Sequence, residues 1–134
     1  MQSLQVRTGQ INLQILDDDG NERGIFSFNP EDVHSANKIL SLQDEFDRAQ
    51  EEFDIKSKQC TTPQEQAALL DEVVTYFEDI IDDCFGEGTS KLVFGNAKTI
   101  SMFDDFINGI IPYYQNASKK RIAKYDKKRK PNGK

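Results

Sequence analysis

Carboxylates are the most abundant reactive groups in this chain, and several stand side by side: Glu51-Glu52, Glu78-Asp79, Asp82-Asp83 and Asp104-Asp105. Paired acids can hold a divalent cation or share a proton when one face presents them. On a helix Glu78 and Asp82 fall at i and i+4, as do Asp79 and Asp83. A di-metal site in a helical bundle would add Glu-x-x-His motifs, and the single histidine, His34, sits in none. The acids therefore read as a solvated face, with no metal, cofactor or catalytic residue expected. His34 stands near a predicted helix start among acids, without a Ser or Cys nucleophile placed to use it. Cys60 and Cys84 bracket a predicted helix. At 1.5 Å per residue that puts them roughly 35 Å apart, beyond disulfide reach. Neither belongs to a CxxC motif, so no zinc site is expected and the usage suits the cytoplasm.

Two loops invite ligand readings. Gly86-Glu87-Gly88-Thr89-Ser90-Lys91 has the ingredients of a phosphate cradle, yet it matches neither GxxxxGK[ST] nor GxGxxG. It also follows a predicted helix, whose C-terminal end repels anions. Asp17-Asp18-Asp19-Gly20 suggests calcium, but aligning Gly20 with the sixth loop position puts Ile15 and Phe26 at the first and twelfth, where oxygen ligands are required. This segment reads as a turn.

The surrounding pattern predicts a hairpin and three helices. Ile11, Leu13 and Ile15 alternate with Asn12 and Gln14, the period of a half-buried strand, and Gly24–Phe28 is the returning strand. Asn29-Pro30-Glu31-Asp32 reads as a helix start with Asn29 as cap and Pro30 in the first position. The helix extends to about Lys58, with Ile39, Leu42, Phe46, Ala49 and Phe53 on one seam. Thr62-Pro63-Gln64-Glu65 is a capping box opening a second helix, whose seam is Ala67, Leu70, Val74, Phe77, Ile81 and Cys84 and whose stop is Gly86. Leu69, Val73 and Ile80 broaden that stripe towards a further neighbour. A third helix, capped near Thr99 or Ser101, carries an aromatic stripe and a Pro112 expected to kink it. The expected fold is mainly α: an N-terminal β-hairpin over 1–29 packed on a three-helix core over 30–117, followed by a basic tail over 118–134 that extends the helix and then frays.

Charge divides the same way. The 134 residues carry a net charge of −6. Residues 1–117 hold 22 acidic and eight basic side chains, while residues 118–134 hold one acid and nine bases. Lys119, Lys120, Arg121, Lys124, Lys127, Lys128, Arg129 and Lys130 are the candidate polyanion-binding residues. No apolar run reaches the roughly 20 residues of a membrane span, and the N-terminus lacks the basic-then-apolar order of a signal peptide. Length and composition point away from a membrane protein, a disulfide miniprotein and a multidomain enzyme.

The run Phe77–Gly95, and above all Phe85-Gly86-Glu87-Gly88-Thr89-Ser90-Lys91-Leu92-Val93-Phe94-Gly95, followed by the aromatic helix Met102–Tyr114, resembles a family of small proteins encoded among the tail genes of tailed phages and prophages of Gram-positive bacteria. These are regarded as tail-assembly chaperones or tail-associated proteins. The resemblance covers roughly residues 30–115 in architecture, does not extend to the basic tail, and carries over no catalytic residues. It implies a non-enzymatic adaptor in the bacterial cytoplasm that binds tape-measure or tail-tube proteins and is open to self-association. It also implies a longer frameshifted product, for which the codons of Lys119-Lys120 or Lys127-Lys128 are candidate slippery sites.

On that reading Phe103, Phe106, Ile110, Tyr113 and Tyr114 form the expected partner-binding surface, since aromatic side chains anchor interfaces. The same spacing is also what a core-facing stripe requires. Two other classes stay open. One is nucleic-acid or acidic-partner binding through the tail, with Tyr113, Tyr114 and Tyr125 stacking on bases. The other is a phage-encoded inhibitor of a host defence protein, acting through the acidic body.

Overall fold

The computed structural model describes residues 1–129 of the chain. Two strands, β1 (Ile11–Leu16) and β2 (Glu22–Phe28), form an antiparallel hairpin, and four helices follow: α1 (Val33–Ser57), α2 (Pro63–Phe85), α3 (Thr89–Phe94) and α4 (Ser101–Arg129). The helix-dominated α+β class expected from the sequence is present, with one short helix more.

The hairpin is set by its turn. The Asp17 carboxylate accepts hydrogen bonds from the backbone N–H groups of Asp19 and Asn21, both at 2.9 Å, and the Asp17 N–H donates to Asn21 O at 2.8 Å. That self-contained turn engages the Asp17 carboxylate with the chain's own backbone and pins the register Leu13↔Phe26 and Ile11↔Phe28. Strand alternation then puts Phe26 and Phe28 into the core and leaves Asn12, Gln14 and Ser27 outside. Gly24 pairs with Ile15, and a Cβ there would stand 2.7 Å from Leu92 Cδ1, so its absence lets α3 press on the strand.

Helix α1 begins three residues later than the Asn29-Pro30 signal suggested. Asn29 is engaged elsewhere: its side-chain oxygen accepts from Glu31 N at 2.9 Å and its Nδ2 donates to Thr8 O at 2.8 Å. Asp32 takes the cap instead, accepting from His34 N at 3.0 Å. Thr62 caps α2 as expected, accepting from Glu65 N at 3.1 Å, while the Glu65 carboxylate reaches back to Thr61 N at 3.0 Å.

Where α1, α2 and α4 meet, rings of the three helices interlock. Phe46 and Phe77 have centroids 4.2 Å apart, and Phe103 joins Phe77 edge-on at 5.0 Å. Ile39, Leu42, Val74, Ile81 and Ile107 close the gaps and are essentially inaccessible to solvent. Each such side chain contributes about 1.5–3 kcal/mol through burial. Helix α4 then runs through Pro112 and continues, as the expected helical extension, to Arg129; residues 130–134, where the chain was expected to fray, lie outside the described residues.

Candidate functional site

The glycine-rich corner between α2 and α4 aims α4 at the core. Gly86 ends α2, its N–H donating to Asp82 O at 2.8 Å, and Gly88, at φ 91°, turns the chain into α3 in a conformation that disfavours any Cβ. A glycine offers no side chain to cap α3. Asp82 supplies the acceptor from the preceding helix: its Oδ1 takes the Ser90 N–H at 2.8 Å. Thr89 Oγ1 donates to Gly86 O at 2.8 Å, and Thr89 and Ser90 are both buried. The backbone donor that a bound phosphate would need is thus occupied by the protein's own carboxylate.

Asp82 and Glu78 correct the reading of the acids as a merely solvated face. Glu78 Oε1 accepts from Lys98 Nζ at 2.7 Å, bracing the chain between α3 and α4. That hydrogen bond raises the Lys98 pKa above its ordinary value, with the charges of Glu78 and Asp71 acting in the same direction. Among the described residues, no group of three or more His, Cys, Asp or Glu could hold a metal ion. Cys60 and Cys84 are free thiols. Burial pushes the Cys84 thiol up, and Asp83 and Glu45 reinforce burial against the opposing charge of Lys38, so the nucleophilic thiolate is disfavoured.

The expected partner-binding surface on the last helix is largely interior. Phe103, Phe106, Ile110 and Tyr114 are buried, packed against Phe46, Phe77, Phe94, Phe26 and Phe28. The hairpin and α3 claim the stripe that the sequence left open to a partner. Burial and the charges of Asp32 and Cys84 push the Tyr114 phenol up to about 12. Tyr113 alone stays at the surface, edge-on to Phe28 at 5.5 Å.

What the sequence did not reveal is a groove beside that stripe. Between the hairpin, the α3–α4 connection and α4 lies an open depression of about 740 Å³. Phe26, Phe94, Phe106 and Ile110 form its floor, Leu13, Ile15, Met102 and Tyr113 its walls, and Asp18, Arg23 and Asp105 its polar rim. Strand period and helix period each predict one face, but the volume left between two faces depends on how they are docked. A second groove, of about 430 Å³, lies between α1 and α2.

The candidate polyanion-binding residues lie on the second half of α4. Lys119, Lys120, Arg121 and Lys124 are exposed, and Arg121 Nη2 reaches Glu31 O at 3.5 Å. The side chains of Lys127, Lys128 and Arg129, and the whole of Lys130, lie outside the described residues. No helix of the described residues is long and apolar enough to cross a membrane.

No curated protein and no solved structure matches the chain. Residues 21–134, from the hairpin turn through the end of the chain, match the model of a family of unknown function, DUF6673. The chain belongs to that family.

Proposed function

We propose that the chain is a non-enzymatic protein-binding adaptor that receives an apolar segment of a partner in the groove between the hairpin and α4. The observation that carries this reading is the groove itself: an apolar floor of aromatic and aliphatic side chains, open along its length and rimmed by both charge signs. Such a surface suits an amphipathic helix or extended segment better than a small polar substrate. The resemblance of Phe77–Gly95 and the aromatic helix to phage tail-module proteins favours a tail-assembly chaperone in the cytoplasm of a bacterial host, with the tape-measure or tail-tube protein as partner. Coating the groove's occupant with a strongly acidic body would keep a coiled-coil-prone client dispersed.

The test is co-expression with the tape-measure protein of the same gene cluster, followed by co-purification and titration calorimetry. Leu16 and Tyr113 are exposed lining residues, so Leu16→Glu and Tyr113→Lys alter the groove without opening the core. A complex weakened about tenfold or more by either substitution supports the reading, that being the size of a lost interface anchor. No complex at tens of micromolar, on the order of the weakest specific interfaces, removes it.

A second reading rests on α4. Its exposed Lys119, Lys120 and Lys124 would suit a phosphate backbone. A gel shift that fades steeply with salt and is lost with Lys119→Glu/Lys120→Glu would favour nucleic acid over a protein client.

A further inference from the structure

We propose that two copies of this chain join through the open edge of β1, the two strands pairing antiparallel about a two-fold axis at Leu13 to make one continuous sheet. The inference stands apart from the adaptor reading, because it needs no client and its test uses this chain alone.

The first observation is a strand edge without a partner. Among the described residues β1 pairs with β2 alone, and no backbone hydrogen bond from outside the hairpin reaches it. Alternate residues of β1 therefore direct their N–H and C=O groups away from β2 with nothing to receive them. Leu13, Gln14, Ile15 and Leu16, consecutive in the chain, all line the open depression beside the hairpin. Successive side chains of a strand point to opposite faces, so consecutive residues border one hollow only where the strand's edge runs along it. The other strand is covered, since α3 lies against β2 where Leu92 reaches Gly24.

The second is that nothing guards this edge. Exposed edges are ordinarily blunted by charge, proline or a bulge. Ile11–Leu16 carries neither charge nor proline, and the bulge near the turn puts its extra residue, Arg23, on β2.

The strand's own sequence selects the occupant. Ile11-Asn12-Leu13-Gln14-Ile15 alternates apolar and amide residues identically in either direction. Directly opposite residues of an antiparallel pair share a face. Setting Leu13 opposite Leu13 therefore sets Ile11 opposite Ile15 on the core side and Asn12 opposite Gln14 on the outer side. Ile11, Leu13 and Ile15, only half-buried in one chain, gain apolar cover, while amide meets amide. Slipping by one residue would set apolar against amide all along the strand, and slipping by two would drop an apolar pair.

Charge agrees with that register. Residues 1–10 hold Arg7 and no acid, and the pairing brings this arm to the second copy's turn, with Asp18 and Asp19. The two-fold repeats the contact at the other end. Because the same edge is used by both copies, the assembly closes at two.

Sedimentation of the full chain from about 1 to about 500 µM spans the affinities of a short strand pairing. The average mass should climb from monomer towards dimer and stop there. Hydrogen exchange at the β1 amides should slow over the same range, since edge N–H groups gain acceptors. Asn12 and Gln14 are exposed, so changing them leaves the core intact. Asn12→Lys/Gln14→Lys sets lysine opposite lysine and should weaken association about tenfold. Asn12→Lys/Gln14→Glu sets lysine opposite glutamate in the same register and should associate at least as tightly as the wild type. A monomer throughout overturns the proposal, as does growth beyond a dimer. Association that leaves β1 exchange unchanged overturns it without recourse to any variant, placing the contact elsewhere. Equal effects of the two variants also overturn it, because only the proposed register tells them apart.

Discussion

The two halves of α4 obey the same periodicity and have opposite fates. From Phe103 to Tyr114 the apolar face is sealed by the hairpin, α1, α2 and α3, whereas at Ile122 the same face meets solvent. The difference lies in what stands opposite. Helical spacing specifies a face, and only the docking of distant elements decides whether that face is core or contact surface. The first half of α4 holds the fold together and lends Phe106, Ile110 and Tyr113 to one side of the groove, while the second half projects Ile122 into solvent.

The sharpest way to break that contrast is to delete a ring from the first half. Phe103→Ala removes a side chain with no solvent exposure that touches Phe46, Phe77 and Phe94. It should cost about 3–5 kcal/mol in urea unfolding, enough to unfold a marginal domain. A loss under 1 kcal/mol would mean the helix is not seated as described.

Alkaline titration probes the same half. Because the Tyr114 pKa is raised in the folded state, its contribution is complete below the unfolded value of about 10 and is lost as pH climbs towards about 12. Thermal melts of the wild type should therefore fall across that window more steeply than those of Tyr114→Phe. Parallel curves would show that the phenol is not buried.

The corner that aims α4 should give a smaller effect. Asp82→Ala strips the acceptor from Ser90 N–H and should cost roughly 0.5–2 kcal/mol, the range for losing a helix cap. Hydrogen exchange at the Ser90 amide should accelerate, and unchanged protection there would refute the capping role.

Ile122→Asp closes the series with the smallest expected change, within about 0.5 kcal/mol of wild type, because little is packed on an exposed site. Equal losses for Phe103→Ala and Ile122→Asp would erase the distinction between the halves.

Much of the scaffold was legible in residue order. Thr62-Pro63-Gln64-Glu65 encodes its own cap, and Asp17–Asn21 encodes its own turn, because both interactions close within a few residues. What escaped depends on partners further away. Asn29 resembles a helix cap until Thr8 and Glu31 engage its side chain. Helix α3 spans six residues, too few for a period to emerge, and its cap comes from Asp82 in the preceding helix. Glu78 and Asp82 look like solvent-facing acids until Lys98 and Ser90 are brought to them. The aromatic stripe was seen, but the hairpin's claim on it was not, and the groove formed beside it has no signature in either segment alone.

Asp82 carries one last consequence, which concerns time. Its carbonyl closes the end of α2 and its carboxylate opens α3, so one residue ends one helix and starts the next across a separation of eight. Loops of that size close in about 10–100 ns, far faster than contacts between chain ends assemble. The corner can therefore set before the core condenses. Helix α4 would then enter the search for its partners already pointed in the right direction.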